Sequence, residues 1–522
     1  MSQEIIKRNT ERAIKAIRII DEPISKTISP KGQNVAILKL DGSVIITNDG
    51  DKIRRNITSD DAFEKCIIRL IKDSADKTHQ QVGDSRSSTI RLTSMLSIEA
   101  LKLVEDGNNP RDIAEQFTKF KEGYIKSIQK FRIPTTKDAL YNVAKISSNN
   151  DEEVAKNTIE TIDVIGEHGM AFIDINKNGS DTFLEKELGF SINGGVQYKE
   201  LLLDANVFNV IYKDVPMLIT DMRLYSLEEA ETILDVVNKA GYDSVVIVAR
   251  ELIKGSDAMT SLLSNHIEKK VKVCMVADPN VTDTENETLY DLASYVDGKV
   301  ITERGGDLIN TLTIKDFTMV KKVFQDPHKA LITPVKSSKD LPKRIKSLQA
   351  ITKKAENKEV EQRLASLTTG NVNIYVGGST VHEIEEKMDR YRDAISAAKT
   401  AMMSGYVVGG GVTLLKAFNS KLTVPEYANT FRKFSEAIVR QIAENCNQHV
   451  DTVVKTIKDS KDKNFGYNAL TNSYGDLLKT GVLEPLKSLE MVVENSISTA
   501  ITLSSIATYI INEEDEINKD NK

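Results

Sequence analysis

Two stretches of this 522-residue chain set acids, hydroxyls and glycines at spacings that could do chemistry. The first is Arg390 to Leu415, read as a helix that buries Ala394, Ile395 and Ala398 and ends near Gly405. A short apolar strand, Tyr406-Val407-Val408, then runs into Gly409, Gly410 and Gly411. Backbone without Cβ atoms can take φ > 0 and let a ligand approach closely. Asp393 stands on the helix before that turn among apolar neighbours, where a carboxylate is costly unless something uses it. A glycine turn beside a buried acid suggests a nucleotide site. The second stretch is Val82 to Thr89, a Gly83-Asp84 turn followed by Ser85, Arg86, Ser87 and Ser88 at a helix start. Free N–H groups there favour phosphate, the serines can add hydrogen bonds, and Asp84 could hold Mg²⁺ through oxygen. The same residues also fit a plain helix cap by Asp84 or Ser85.

The elements that must position these residues follow from periodicity. Residues 4–20 space Ile5, Ala13, Ile14, Ile17 and Ile20 at helical intervals. A Pro30-Gly32 loop follows, then strands Val35 to Leu40 and Val44 to Thr47 flanking Asp41-Gly42, a hairpin signal. The second strand ends in Asn48-Asp49-Gly50, which sets a carboxylate at a strand-to-turn junction. Residues 61–78 are helical, with Phe63, Cys66, Ile67, Leu70 and Ile71 on one stripe, and another helix runs to about Asp106. In the middle third, Met217 to Thr220 reads as a strand. Ser226 opens a helix with Glu229 three residues on, and Gly241 closes it. Strand Ser244 to Ala249, a helix from about Ser256 to Lys269 and strand Val271 to Ala277 follow, an alternation that argues an α/β domain with a partly parallel sheet.

Composition narrows the class. The length exceeds one core and suggests about three domains. A net charge of -6 argues against a dedicated nucleic-acid surface. Cys66, Cys274 and Cys446 are sparse, odd in number and without metal spacing, which fits a reducing compartment. The first twenty residues mix acids and bases and carry no apolar signal core, and no run is long enough to span a bilayer, so a cytoplasmic protein is expected.

Several motifs resemble group I chaperonins, the GroEL type, in order and spacing. They are Thr27 to Val35 (TISPKGQNV), Ile46 to Gly50 (ITNDG), Gly83-Asp84, Ile146 to Asp151 (ISSNND) and Glu361 to Gly370 (EQRLASLTTG). Asp393 through Gly411, Gly466 to Ala469 (GYNA) and Gly481 to Lys487 (GVLEPLK) complete the set. The resemblance implies a multi-domain α and α/β chaperonin fold. Its mainly helical equatorial domain would span 1–130 and 404–522, its small intermediate domain 131–187 and 372–403, and its α/β apical domain 188–371. It implies ATP with Mg²⁺, and K⁺ as a further candidate ion. Asp393 would activate the attacking water, with Asp49 as a second acid near the terminal phosphate and Asp84 as the magnesium ligand. Thr27, Ile28, Ser29 and Pro30 would cover the phosphates, with Asn48, Ser85, Arg86, Ser87 and Ser88 beside them. Gly409 and Gly410 would meet the ribose, Asn468, Ala469 and Leu470 the adenine, and Glu484 the nucleotide.

The departures from that family are specific. Ser29 and Ser85 replace glycines, Asn48 a lysine and Arg86 a threonine, and Glu484 is one methylene longer than the usual aspartate. Arg86 could stand in for the missing lysine. The resemblance places non-native clients on an apical groove at Leu227, Leu234, Met259 and Leu263, although single leucines of this kind are more often core. Glu231 and Ser264 make the groove more polar, and the match across Val196 to Leu203 is loose. Pro134 with Gly405, and Gly189 with Gly370, match the hinges. A homo-oligomeric ring, heptameric and single or double, is expected, with or without a separate co-chaperonin and without nucleic-acid or membrane partners. Arg440 matches a basic residue at the ring-to-ring interface, but His449 stands where its acidic partner would be, which motivates weakened inter-ring contacts. The tail Asn512 to Lys522 is charged, lacks a Gly-Gly-Met repeat and is expected to be disordered, and the Ile-, Lys- and Asn-rich usage suits a virus-encoded member.

Three other readings compete. The phosphate-loop substitutions motivate a ring that holds clients passively with little ATP hydrolysis. The asparagine of ITNDG is common in archaeal-type chaperonins, but no extra helical protrusion is evident between Val271 and Val300. A small-molecule kinase would need a second-substrate pocket that nothing here resembles.

Overall fold

A computed structural model describes residues 3–7, 9–39, 42–166, 169–176, 179–187, 189–192, 210–253, 255–277, 287–325, 330–336, 338–352, 358–368 and 370–512. Expectations for 196–203, for 278–286 and for the tail beyond 512 lie outside these residues. The chain packs as two compact units, one of Met1–Glu160 with Asp389–Lys522 and one of Thr161–Met388.

The first unit is helical. Asn9 caps its opening helix, Thr10–Ser25, through the Arg12 N–H at 3.0 Å, and Ile17, Ile20 and Ile24 are fully buried. The helical stripe expected from residue 4 begins later, because Gln3–Lys7 instead pairs antiparallel with Thr508–Asn512. That partner is about 500 positions away, so local periodicity could not reveal it. Helix Ala62–Val82 packs with the opening helix in one apolar cluster, while helices Arg86–Glu105, Pro110–Gln129, Pro425–Asn445 and Leu486–Ser505 bury their apolar stripes around another. In it Phe120 stacks on Phe431 at 3.8 Å between ring centroids. The Tyr124 hydroxyl donates to the Leu414 carbonyl at 2.5 Å, and Ser127 Oγ to that of Ala417 at 2.7 Å. These bonds fix the segment that follows the glycine turn. The hairpin Val35–Leu38 and Val44–Thr47 forms as expected, with Gly42 at φ 82°.

The second unit is built on a mixed sheet. Strands Val210–Leu224, Ser244–Leu252 and Lys272–Ala277 run parallel. Thr318–Gln325, Ala330–Pro334 and Phe190–Ile192 extend the other side antiparallel. Val245 to Ala249 are buried without alternation, as a strand covered on both faces requires. Helices Leu227–Lys239 and Asp257–Ile267 share one apolar cluster with Leu218, Val245, Ile247 and Met275, while Val246, Val248, Cys274 and Val276 join another with helix Glu287–Val296. The expected capping box is present: the Glu229 N–H donates to Ser226 Oγ and the Ser226 N–H to Glu229 Oε2. A smaller sheet sets Ala171–Ile175 parallel, and Phe183–Glu187 antiparallel, to Asn371–Val376.

Candidate active site

The glycine turn is held from both sides. Helix Val381–Ser404 ends at Gly405, φ 81°, and strand Tyr406–Val408 pairs antiparallel with Leu483–Pro485, which aligns Val407 with Glu484. The Gly409 N–H then donates to the Val482 carbonyl at 2.9 Å. Gly410 and Gly411 take φ 65° and 75°, and a Cβ on Gly411 would press on Ile438 at 2.9 Å. Leu477 reaches both Gly410 and Gly466, so strand Phe465–Asn468 lies against the turn. Asn468 accepts the Leu470 N–H at 3.0 Å. Asn468 and Ala469 are buried and Leu470 is exposed.

Close glycine contacts bring the other segments in. A Cβ on Gly83 would fall 2.2 Å from that of Ser396, so the turn carrying Asp84 is packed onto the helix one turn beyond Asp393. A Cβ on Gly50 would fall 2.1 Å from Ser87 Oγ and 3.7 Å from Thr27 Oγ1, which puts the Asp49 turn, the serines and the Thr27 to Pro30 loop side by side. Asn445 fixes that loop by donating to the Ser25 and Ile28 carbonyls at 2.8 and 2.7 Å. The expected phosphate-loop residues are thus gathered together.

Ser29 and Ser85 keep the backbone that glycine would favour, at φ 96° and 73°. Ser85 occupies the N-cap position but makes no side-chain cap bond, and Asp84 does not cap the helix either. Instead Asp84 accepts the Ser85 N–H and the Ser147 hydroxyl, the latter at 3.0 Å. Asp49 Oδ1 caps the short helix Gly50–Asn56, accepting the Asp51 and Lys52 N–H groups at 2.7 and 3.3 Å.

The acids interact strongly. Asp393 keeps some exposed surface, yet lies so deep among other groups that burial, then the Asp84 charge, pushes its carboxyl well above the usual range. Burial likewise raises Asp84, against its hydrogen bonds and the nearby Arg86. Glu484 is pushed up to about 8 by burial and by Asp84, and its Oε1 has no hydrogen-bond partner among the described residues. The expected acids therefore share one electrostatic neighbourhood, in which like charges and burial oppose full ionisation.

Sequence reasoning missed four side chains here. Asp389 lies one turn before Asp393 and is raised by burial, with Asp49 adding to the effect and Arg392 opposing it. Its i, i+4 spacing to Asp393 was the available signal. Asp51 is held below the usual range because Arg86, Arg55 and Arg54 together outweigh its burial. Asp76 pairs with Arg54 at 2.9 Å, and Ser147 reaches Asp84. The Ile146 to Asp151 motif marked that stretch, but a contact with Asp84, 63 positions away, could not be read from it.

The donor chemistry fits a magnesium nucleotide. No group of three His, Cys, Asp or Glu side chains at metal spacing occurs among the described residues. A divalent ion here would be held by one or two carboxylates together with bound phosphates, the arrangement Mg²⁺ favours. Among the described residues Lys52 Nζ and Arg86 Nε are buried without hydrogen-bond partners, and Arg86 Nε lies 3.4 Å from Asp51 and 3.7 Å from Asp76.

In the second unit the four expected groove residues separate. Leu227 is exposed, Leu263 partly buried, and Leu234 and Met259 lie in the core at 6% and 3% exposure. As they stand, Leu234 and Met259 hold the helices on the sheet rather than presenting a groove. In the first unit, Arg440 does not lack an acid: it pairs with Glu436 and Asp451 of its own chain at 2.8 and 2.9 Å. His449 instead caps helix Val450–Asp459 through the Thr452 N–H.

The model of the TCP-1/cpn60 chaperonin family matches residues 20–514, and the chain belongs to that family. It is 32% identical over 530 aligned residues to Chaperonin GroEL of Methanospirillum hungatei JF-1, covering 99% of this chain and 98% of that protein. Its fold is similar to that of the chaperonin gp146 from the bacteriophage EL 2 (Pseudomonas aeruginosa), crystallised in the presence of ATP-BeFx. The TM-score is 0.74 at 19% identity, over 98% of this chain and 99% of that one. A second crystal form gives 0.66 at 18%. Family and fold make this chain an ATP-dependent folding chaperonin, from a family whose members form oligomeric rings and bind client proteins.

Proposed function

We propose that this chain hydrolyses ATP itself at the site described and couples turnover to holding and releasing non-native proteins. The gathering of Asp49, Asp84, Asp393 and Glu484 around the glycine turn carries this reading. Asp84 would hold Mg²⁺, whose charge offsets that of the phosphates. Asp393 would orient the attacking water and accept its proton, a role its raised affinity for protons suits once Asp84 is neutralised by the ion. Asp49 stands by as the second acid. Thr27 to Pro30, Ser87 and Ser88 line the phosphates, Gly409 and Gly410 the ribose, and Asn468 to Leu470 the base. K⁺ is a further candidate beside the phosphates.

The three-domain division with hinges at Pro134, Gly189, Gly370 and Gly405 belongs to the same reading, as do a sevenfold ring and cytoplasmic residence. The ring would bear client-facing apolar surface at Leu227 and Leu263, while Leu234 and Met259 would join only if their helices shift. A single ring is favoured because Arg440 is already paired within its own chain; native mass spectrometry showing stable double rings with and without nucleotide would contradict that.

Phosphate release from ATP tests the catalytic assignment. Asp393→Ala is expected to lose about a hundredfold or more in turnover while still binding ATP, in line with loss of a positioned acid–base group. Equal turnover in wild type and variant would remove Asp393 from its role.

A further inference from the structure

Lys52 has no part in the reading above, and it is unusual among the cations of this unit. It sits on the first turn of helix Gly50–Asn56, three residues after Asp49, and its N–H donates to Asp49 Oδ1 at 3.3 Å. That spacing puts its side chain on the face of Asp49, leaning back towards the helix start. Its Nζ is buried and has no hydrogen-bond partner or ion pair among the described residues. Yet its charge acts on Asp389, which also feels Asp49 and lies one turn before Asp393. The ammonium is therefore on the Asp49 side of its short helix and within electrostatic reach of Asp389.

A lysine stem is long enough to snorkel towards water, so an ammonium kept buried without a partner is held at a cost. An anion arriving at that point would remove the cost. Asn48, four residues earlier, is uncharged and cannot serve an anion in this way. Arg86 gives an independent sign of the same preference. Its Nε is also buried without a hydrogen bond, 3.4 Å from Asp51 and 3.7 Å from Asp76, and its charge reaches Asp84 and Asp393. A cation without a partner among the described residues and one held only by longer ion pairs thus lie near these acids.

We propose that Lys52 is the residue by which this site tells a nucleoside triphosphate from a diphosphate, its ammonium meeting the terminal phosphate with Arg86 as the second cation. This rests on the nucleotide reading of the site. The competing role is structural: Lys52 would only soften repulsion among Asp49, Asp389 and Asp393.

Equilibrium binding to the full chain, with Mg²⁺, separates the two. The probes are a non-hydrolysable triphosphate analogue of ATP and ADP, and the proteins wild type, Lys52→Met and Lys52→Arg. Loss of a charge-assisted contact is worth roughly tenfold or more in affinity. Lys52→Met should lose about that much for the triphosphate and no more than about twofold for ADP, and Lys52→Arg should recover most of the difference. Parallel losses for both nucleotides, or an unchanged preference, would overturn the assignment while leaving the nucleotide site standing. Wild-type protein that binds neither probe would overturn the nucleotide reading, and the role of Lys52 with it.

Discussion

At Ser29 and Ser85 a β-carbon is carried in backbone that normally selects glycine. The left-handed conformation costs a non-glycine residue about 1–2 kcal/mol, while glycine costs the folded state about 0.4–1 kcal/mol in added freedom of the unfolded chain. The first effect wins narrowly. Ser85→Gly is therefore expected to stabilise the protein by about 0.5 kcal/mol, read as a higher denaturant midpoint. A lower midpoint would mean that the serine hydroxyl contributes more than its backbone costs. Glu484 makes a pH-dependent case. Its folded pKa, about 8, lies above the ordinary 4.5, so the stability it contributes is full below about pH 4.5 and is lost as pH rises through about 8. Without nucleotide, Glu484→Gln should gain stability relative to wild type as pH rises from 5 to 8.5. A difference that stays flat across that window would contradict the buried, partnerless carboxyl.

Among the elements, the turn between helices Ala62–Val82 and Arg86–Glu105 couples local backbone to the site. Gly83 combines φ 73° with a Cβ direction blocked by Ser396. Gly83→Ala should cost roughly 2–4 kcal/mol and displace Asp84 from Asp393, seen as a lower denaturant midpoint together with weaker Mg²⁺-dependent ATP binding. An unchanged midpoint would show that the turn can move freely. Much of this arrangement was legible in the sequence. The glycine run, the Gly83-Asp84 turn, the hairpin and the Ser226–Glu229 cap are all local signals, and each formed where its residues implied. What escaped was non-local or side-chain-level. The pairing of Gln3–Lys7 with Thr508–Asn512 needs both chain ends. Asp51, Asp76 and Lys52 acquire meaning only once Arg54, Arg86 and Asp389 surround them. The burial of Leu234 and Met259 escaped for a related reason: an amphipathic helix pattern shows that a residue is apolar, while only the packed sheet shows which apolar residues lie beneath it.

In the whole molecule a chaperonin fold carries a cluster of acids beside Lys52 and Arg86, with Ser29 and Ser85 in left-handed backbone. A motor built this way must bias a conformational equilibrium. Shifting it from 1:99 to 99:1 takes about 5.5 kcal/mol of differential binding, within reach of a magnesium triphosphate. Family membership makes the chain an ATP-dependent folding chaperonin, and the site residues set how nucleotide drives it. The most direct measurement follows a chemically denatured client by light scattering and recovered activity, with wild type and Asp393→Ala, with and without ATP. The account predicts that wild type suppresses aggregation without nucleotide and returns active client when ATP is added, whereas Asp393→Ala captures client but does not complete repeated rounds of release. Client release that is the same with and without ATP, or identical for both proteins, would contradict it.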